Sequence, residues 1–197
     1  PLLPGSLADK LPPAQPSGAP WPNAAGHRRR MLALAGCVQP SLAPNINAAT
    51  ARVFDKLGIE LFEEARAGCC GAVRCHLNAH ETAKNDMRRN VDAWWPHVEA
   101  GVEAIVVTAS GCGVQVRDYG HILADDTLYA EKAAKISSLS RDPSEVLAGE
   151  KAALLPLLAA RPERRGKLAF HSPCTLQHGL QIRGSIEALL QGAGYEL

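Results

Sequence analysis

The chain predicts an α/β fold: a mainly parallel sheet with flanking helices. Three observations carry that expectation. Short apolar runs alternate with stretches of helical period. The apolar runs lack the in-out alternation of a half-exposed strand, as parallel strands buried on both faces do. And cysteines fall within a few residues of the ends of several of these runs, where open parallel sheets bind their ligands.

In chain order, residues 1–26 come first and hold seven of the fourteen prolines but only two charged side chains, Asp9 and Lys10. Such a stretch favours extended conformations and reads as a linker or wrapping arm, which implies an upstream attachment. The basic run His27-Arg28-Arg29-Arg30 precedes an apolar segment and reads as a solvated strand start rather than a binding patch. Residues 31–35 form the first strand, ending at Gly36-Cys37. A helix follows from Pro44 to Leu57, with Ile46, Ala49, Val53 and Leu57 expected on its apolar face and Gly58 as its stop. Residues 59–62 are the second strand, and Cys69-Cys70-Gly71 lies in the loop beyond it.

One long helix is expected over about 72–95, on Val73, Leu77, Met87, Val91 and Trp94, limited or kinked by Pro96. Trp94-Trp95 would pack it onto the sheet. Residues 103–108 are the third strand, followed by Ser110-Gly-Cys112-Gly113. Helices are expected near 128–137 and 143–159, with the segment from Pro156 through Leu158 as plain core. Residues 167–170 read as a fourth strand, running into His171-Ser-Pro-Cys174.

Bulk properties narrow the function. The 197 residues are 46% hydrophobic, enough for a substantial core, and the formal net charge of +1 gives no electrostatic case for nucleic acid. No apolar run reaches the ~18 residues of a membrane span. Six cysteines are too sparse for a disulfide scaffold and suit metal-binding thiolates in a reducing, cytoplasmic setting. No P-loop, dinucleotide glycine signature or nucleophile–base pair is present, so no catalytic residue is assigned.

The cysteines then sort themselves. Cys37, Cys69, Cys70 and Cys112 can converge on one sheet edge, with Gly71 allowing close approach of the backbone. A vicinal disulfide or two plain thiols are the competing readings of Cys69-Cys70. Cys75 reads as a small buried hydrophobe. His171 and His178 read as capping or core residues beside Cys174.

An internal repeat is also visible. RRMLALAGC and RGKLAFHSPC each lead through a helix to a glycine and a strand-like IEL or YEL; Cys37 lies 21 positions before Gly58, and Cys174 lies 20 before Gly194. The boundaries read as an arm over 1–29, a first unit over 30–162 and the start of a second, truncated unit over 163–197. Cys174 is then expected to be a metal ligand of that second unit.

Cys37, 31 intervening residues, Cys69-Cys70-Gly71 and the later Cys112 resemble the cysteine-rich CCG domain, which occurs twice in heterodisulfide reductases and in the iron–sulfur subunits of glycolate oxidases. The stretches GCVQPSLAPNINAATARV, CCGAVRCHLN, TASGCGVQVRDYGHIL and FHSPCTLQHG look closest to the glycolate oxidase group, and the resemblance covers about 30–197.

It implies an electron-transfer module whose Cys37, Cys69, Cys70 and Cys112 hold an iron–sulfur cluster of [4Fe–4S] type, with zinc as the competing metal. It also implies partners: a flavin (FAD) subunit that oxidises glycolate to glyoxylate, and an N-terminal ferredoxin-like domain. The implied location is cytoplasmic, with peripheral attachment at the inner membrane face as the alternative.

One departure matters. The family pattern ends in C-x-x-C, and here that stretch is Ala109-Ser-Gly-Cys112, so one cysteine is missing. That weakens the rival readings of a thiol–disulfide or heterodisulfide reductase site. A zinc-stabilised interaction domain remains the third reading.

Overall fold

The computed structural model describes residues 20–23, 26–160 and 166–197. Most of the proline-rich arm therefore lies outside the described residues. Of the described part, Trp21 packs against the sheet and donates its indole N–H to the Leu61 carbonyl at 2.8 Å.

The sheet has four parallel strands in the order β2–β1–β3–β4. Strand β1 is Arg29–Ala33, β2 Ile59–Glu63, β3 Ala104–Val106 and β4 Ser140–Arg141. Between β1 and β2 lie a short helix α1, Gln39–Leu42, and α2, Asn45–Lys56. Between β2 and β3 come α3, Ala72–His76, and α4, His80–Glu99. Helices α5 (Ser110–Arg117), α6 (Tyr119–Ile122) and α7 (Ala130–Leu139) lead from β3 to β4. After β4 come α8 (Pro143–Gly149) and α9 (Lys151–Ala159), then a π-helical turn at Thr175–Gly179 and α10, Ser185–Gly192.

Period-2 geometry splits the core onto both faces of the sheet. Leu32, Leu34, Ile105 and Val107 point to one face and pack with Met87, Val91 and Trp94 of α4 and with Tyr119, Leu123 and Ile136. Met31, Ala33, Ala104 and Val106 point to the other, with Ile59 and Leu61, and pack against Ala51 and Phe54 of α2. Double burial explains why the strands read as continuous apolar runs. Truncating a wholly buried aromatic such as Phe54 or Trp94 to alanine would cost about 3–5 kcal/mol.

The basic run is held by acids: His27 by Asp55, Arg29 by Glu103 and Glu150, Arg30 by Glu60. The strand-start reading therefore stands for these three residues.

Several expectations are corrected. The long helix is broken: α3 ends at His76, Asn78 takes a left-handed φ of 61°, and α4 restarts at His80. Val73 and Leu77 are consequently exposed, while Met87, Val91 and Trp94 are buried as expected. Pro96 lies inside α4 and does not end it; the helix runs on to Glu99. Trp95 sits under Lys132 rather than on the sheet.

In α2 the buried positions are Asn47, Ala51 and Phe54, whereas Ile46 and Val53 are exposed. Leu157 and Leu158 are exposed too, so that segment is not plain core; Leu154 supplies the buried contact. The helix expected over 143–159 divides at Glu150 into α8 and α9. The fourth strand of the sheet is Ser140–Arg141, whereas Lys167 makes a single parallel bridge, to Glu196.

Candidate metal centre

Parallel strands deliver all their following loops to one edge. From β1 the chain moves to β2 on one side, then crosses over to β3 on the other, so the loops after β1 and β3 diverge. That divergence opens the crevice in which such sheets bind ligands. Cys37 lies in the loop after β1, Cys69 and Cys70 in the loop after β2, and Cys112 in the first turn of α5 after β3.

All four line one cavity of about 420 Å³, whose other walls include Leu34, Ala35, Val38, Ala72, Val73 and Val107. Ala109, where the sequence pattern lacks its fifth cysteine, is part of the same wall.

The sulfurs come as two pairs. The Cys37 thiol faces Cys69 Sγ at 3.5 Å, and the Cys70 thiol donates to Cys112 Sγ at 3.1 Å. Burial pushes the Cys37 thiol up, and its hydrogen bond to Cys69 adds to that. The bond to Cys112, with burial, holds the Cys70 thiol far above its ordinary range. Cys112 is lowered, because it accepts that bond; burial and the charges of Cys37 and Cys69 oppose the change. Within that pair the proton is held more tightly by Cys70 than by Cys112.

The vicinal loop is held by two buried polar side chains. Asn90 of α4 accepts from the Gly68 N–H at 2.8 Å and donates to the Cys69 carbonyl at 2.9 Å and to the Tyr119 hydroxyl at 3.0 Å. That hydroxyl donates in turn to the Cys70 carbonyl at 2.9 Å. The loop's backbone groups are therefore satisfied away from water.

Gly71 has φ 89°, and an added Cβ would lie 3.0 Å from the Ala83 carbonyl oxygen and 3.2 Å from Met87 Cε. The third residue of the Cys-Cys-Gly triplet must be glycine both for its conformation and for its closeness to α4. Its N–H points to Cys69 Sγ at 3.4 Å.

A second network ties the strand ends together. Asn47 donates to the Leu34 carbonyl at 3.1 Å and to Glu63 at 2.9 Å, and accepts from Gln39 at 2.9 Å and from the Thr108 hydroxyl at 2.6 Å. The loops after β1 and β3 are thereby fixed to each other and to the end of β2. Ahead of the vicinal pair, Arg66 and then His97 hold the Glu64 carboxyl down at about 2.

Sequence reasoning grouped these four cysteines but missed Asn47, Asn90 and Tyr119. A signal existed for Asn90, which falls between Met87, Val91 and Trp94 on the apolar stripe of α4, where a polar residue needs partners. Cys75 is half-buried against the core with Gln115 3.8 Å away, in keeping with a packing role. Cys174 is exposed and is not part of the cavity wall. His171 and His178 are exposed as well, so neither is a core residue.

The four donors are all sulfur, the ligand type shared by iron–sulfur clusters and structural zinc. A tetrahedral zinc holds four sulfurs about 2.3 Å from one point. Among the described residues no three His, Cys, Asp or Glu side chains converge closely enough to hold a single ion. Four thiols on one largely apolar wall supply donors of the type and number that an iron–sulfur cluster takes.

Residues 31–117 match the CCG family, described as "Cysteine-rich domain". The whole chain is 50% identical over 197 residues to a "Glycolate oxidase iron-sulfur subunit" of Escherichia coli (strain K12), covering 47% of that protein. It is 30% identical over 121 residues, 61% of this chain and 26% of the relative, to a "Probable glycolate oxidase iron-sulfur subunit" of Bacillus subtilis (strain 168). It is 28% identical over 155 residues, 78% of this chain and 61% of the relative, to a "Lactate utilization protein A" of Bacillus cereus (strain B4264). The chain thus spans less than two thirds of each of these relatives. Its four converging cysteines all fall inside the segment, residues 31–117, that matches the cysteine-rich CCG domain.

Proposed function

We propose that this chain is the electron-transfer part of a glycolate-oxidising complex, with an iron–sulfur cluster held by Cys37, Cys69, Cys70 and Cys112. The observation that carries the reading is the convergence of four thiols, from loops after three different strands, on one largely apolar cavity. The similarity to glycolate oxidase iron–sulfur subunits supplies the reaction class.

When bound, the cluster would accept and release single electrons between a flavin subunit and a downstream acceptor. The chain's own residues do the rest. Cys37, Cys69, Cys70 and Cys112 give up their thiol protons to become ligands. Leu34 and Val107 give the sulfurs buried apolar neighbours, and Val38 and Val73 stand at the exposed rim of the cavity. Asn90 and Tyr119 hold the vicinal loop so that both of its sulfurs face the cavity. Glycolate itself would be oxidised to glyoxylate on the flavin subunit, so no catalytic residue is assigned here.

In the same reading, residues 30–162 form the cluster-binding unit and 163–197 begin a second one. The complex would work in the cytoplasm or at the inner face of the membrane. Among the described residues no helix is long and apolar enough to cross a membrane.

Anaerobic reconstitution with iron and sulfide, followed by EPR and metal analysis, tests the assignment. The expected result is a reducible cluster signal in the wild-type chain that is lost in Cys69→Ser. Stoichiometric zinc without iron would overturn it.

A further inference from the structure

The pairing of the four sulfurs has a redox consequence in the cluster-free chain. A disulfide needs its sulfurs about 2.05 Å apart. At 3.5 Å for Cys37–Cys69 and 3.1 Å for Cys70–Cys112, the two pairs have only about 1.5 and 1.1 Å left to travel. Cys37 is exposed, so the outer pair is open to a soluble oxidant, while Cys70 and Cys112 lie deeper.

We infer that the cluster-free chain is oxidised by a low-molecular-weight disulfide into one defined form with two bridges, Cys37–Cys69 and Cys70–Cys112. Four thiols allow three connectivities. The geometry selects the one in which each half of the vicinal pair bridges to a different loop, and it disfavours the Cys69–Cys70 bridge.

The chemistry balances. A thiolate of one pair attacks glutathione disulfide, forming a mixed disulfide and releasing one glutathione. The partner thiolate then displaces the second glutathione and closes the protein bridge. Two protein thiols are oxidised by two electrons, one glutathione disulfide is reduced, and the two thiol protons end on two glutathione molecules. Repeating this on the second pair ties the loops after β1, β2 and β3 together and removes all four donors from the cavity. Reduction restores them. The site would therefore load only after a thiol reductant has acted.

The consequence for loading rests on the cluster assignment, but the pairing does not. Matched bridges with no cluster uptake would leave the inference standing and remove the proposed function; crossed bridges with a normal cluster would do the reverse.

The test equilibrates the reduced, metal-free full chain with defined ratios of reduced and oxidised glutathione. Free thiols are then alkylated and the peptides mapped by mass spectrometry. The wild-type chain should lose four of its six alkylatable thiols, keeping Cys75 and Cys174, with no peptide in which Cys69 and Cys70 are bridged to each other.

Because Cys69 and Cys70 share a peptide, double variants settle the connectivity. Cys70→Ser/Cys112→Ser and Cys37→Ser/Cys69→Ser each leave a matched pair. Cys69→Ser/Cys112→Ser and Cys37→Ser/Cys70→Ser each leave a crossed pair. Matched pairs should oxidise with an equilibrium constant roughly tenfold or more above that of crossed pairs, reflecting the strain of bridging badly placed sulfurs. Circular dichroism confirms that each variant is folded, and the wild-type map stands without them. Equal oxidation of matched and crossed pairs, or a Cys69–Cys70 bridge in the wild-type chain, would overturn the inference.

Discussion

Residues 29–63 and 167–196 run through the same local order: an extended segment, a cysteine beyond it, a helix, a left-handed glycine and a second extended segment. In the first, β1 and β2 pair in parallel over five residues, from Arg29–Ile59 to Ala33–Glu63. In the second the same arrangement shrinks to one parallel bridge, Lys167 to Glu196. Gly58 and Gly194 take φ of 74° and 91° at corresponding places. Yet Cys37 has a sulfur neighbour and a cavity, while Cys174 is exposed and outside it. The difference lies in what flanks the first strand. Insertion of β3 on the far side of β1 creates the crevice, adds Cys112 and gives Asn47 its partner Thr108. A cysteine at a strand end becomes part of a donor set only when neighbouring strands bring others to the same edge.

That contrast can be broken most directly through metal content. Cys69→Ser, Cys70→Ser and Cys112→Ser should each reduce reconstituted iron to background, and Cys174→Ser should leave it at the wild-type level. Iron lost equally in Cys174→Ser would erase the distinction between the two regions.

The next effect is on stability. Gly71 and Gly184 are both left-handed glycines preceding a helix, with φ 89° and 72°. Only Gly71 has backbone within 3.0 Å of an added Cβ; at Gly184 nothing lies within 4 Å. Gly71→Ala should cost about 2–4 kcal/mol, from left-handed strain plus overpacking against α4. Gly184→Ala should cost about 1–2 kcal/mol from strain alone. Urea unfolding of the two variants measures the gap.

Asn90→Ala leaves the Gly68 N–H and the Cys69 carbonyl without their partner and should cost about 1–3 kcal/mol. Tyr119→Phe removes two bonds, one to the Cys70 carbonyl and one from the Asn90 amide, and should cost about 1–2 kcal/mol. Thermal unfolding of both shows whether the loop depends more on the amide than on the phenol.

The smallest effect is in acid. The folded value of Glu64, about 2, lies below its ordinary 4.5, so its contribution is present above about 4.5 and is lost as pH falls toward 2. Urea midpoints taken between neutral pH and pH 2.5 should fall more steeply for the wild-type chain than for Glu64→Gln.

Much of this was legible in the sequence because burial on both faces leaves strong apolar runs, and because a cysteine after each run marks the edge where loops meet. Residues 31–35 and 59–62 predicted β1 and β2 to within two residues at either end. What was not legible had no periodic signature. Ser140–Arg141 is a two-residue strand with no apolar pattern, placed by its pairing with Ile105 and Val106. The break at Asn78 depends on one left-handed residue inside an otherwise helical stretch. The inward face of α2 was misread because the buried Asn47 is polar; its burial is stabilised by four hydrogen bonds to groups far apart in sequence. Nor can spacing alone show which of two adjacent sulfurs faces which loop.

The most direct test of the central claim is anomalous diffraction at the iron edge from crystals of the anaerobically reconstituted chain. Iron density is expected among the sulfurs of Cys37, Cys69, Cys70 and Cys112 at the carboxyl ends of β1, β2 and β3. Iron bound elsewhere, at Cys174 for example, or signal only at the zinc edge within that cavity, would contradict it.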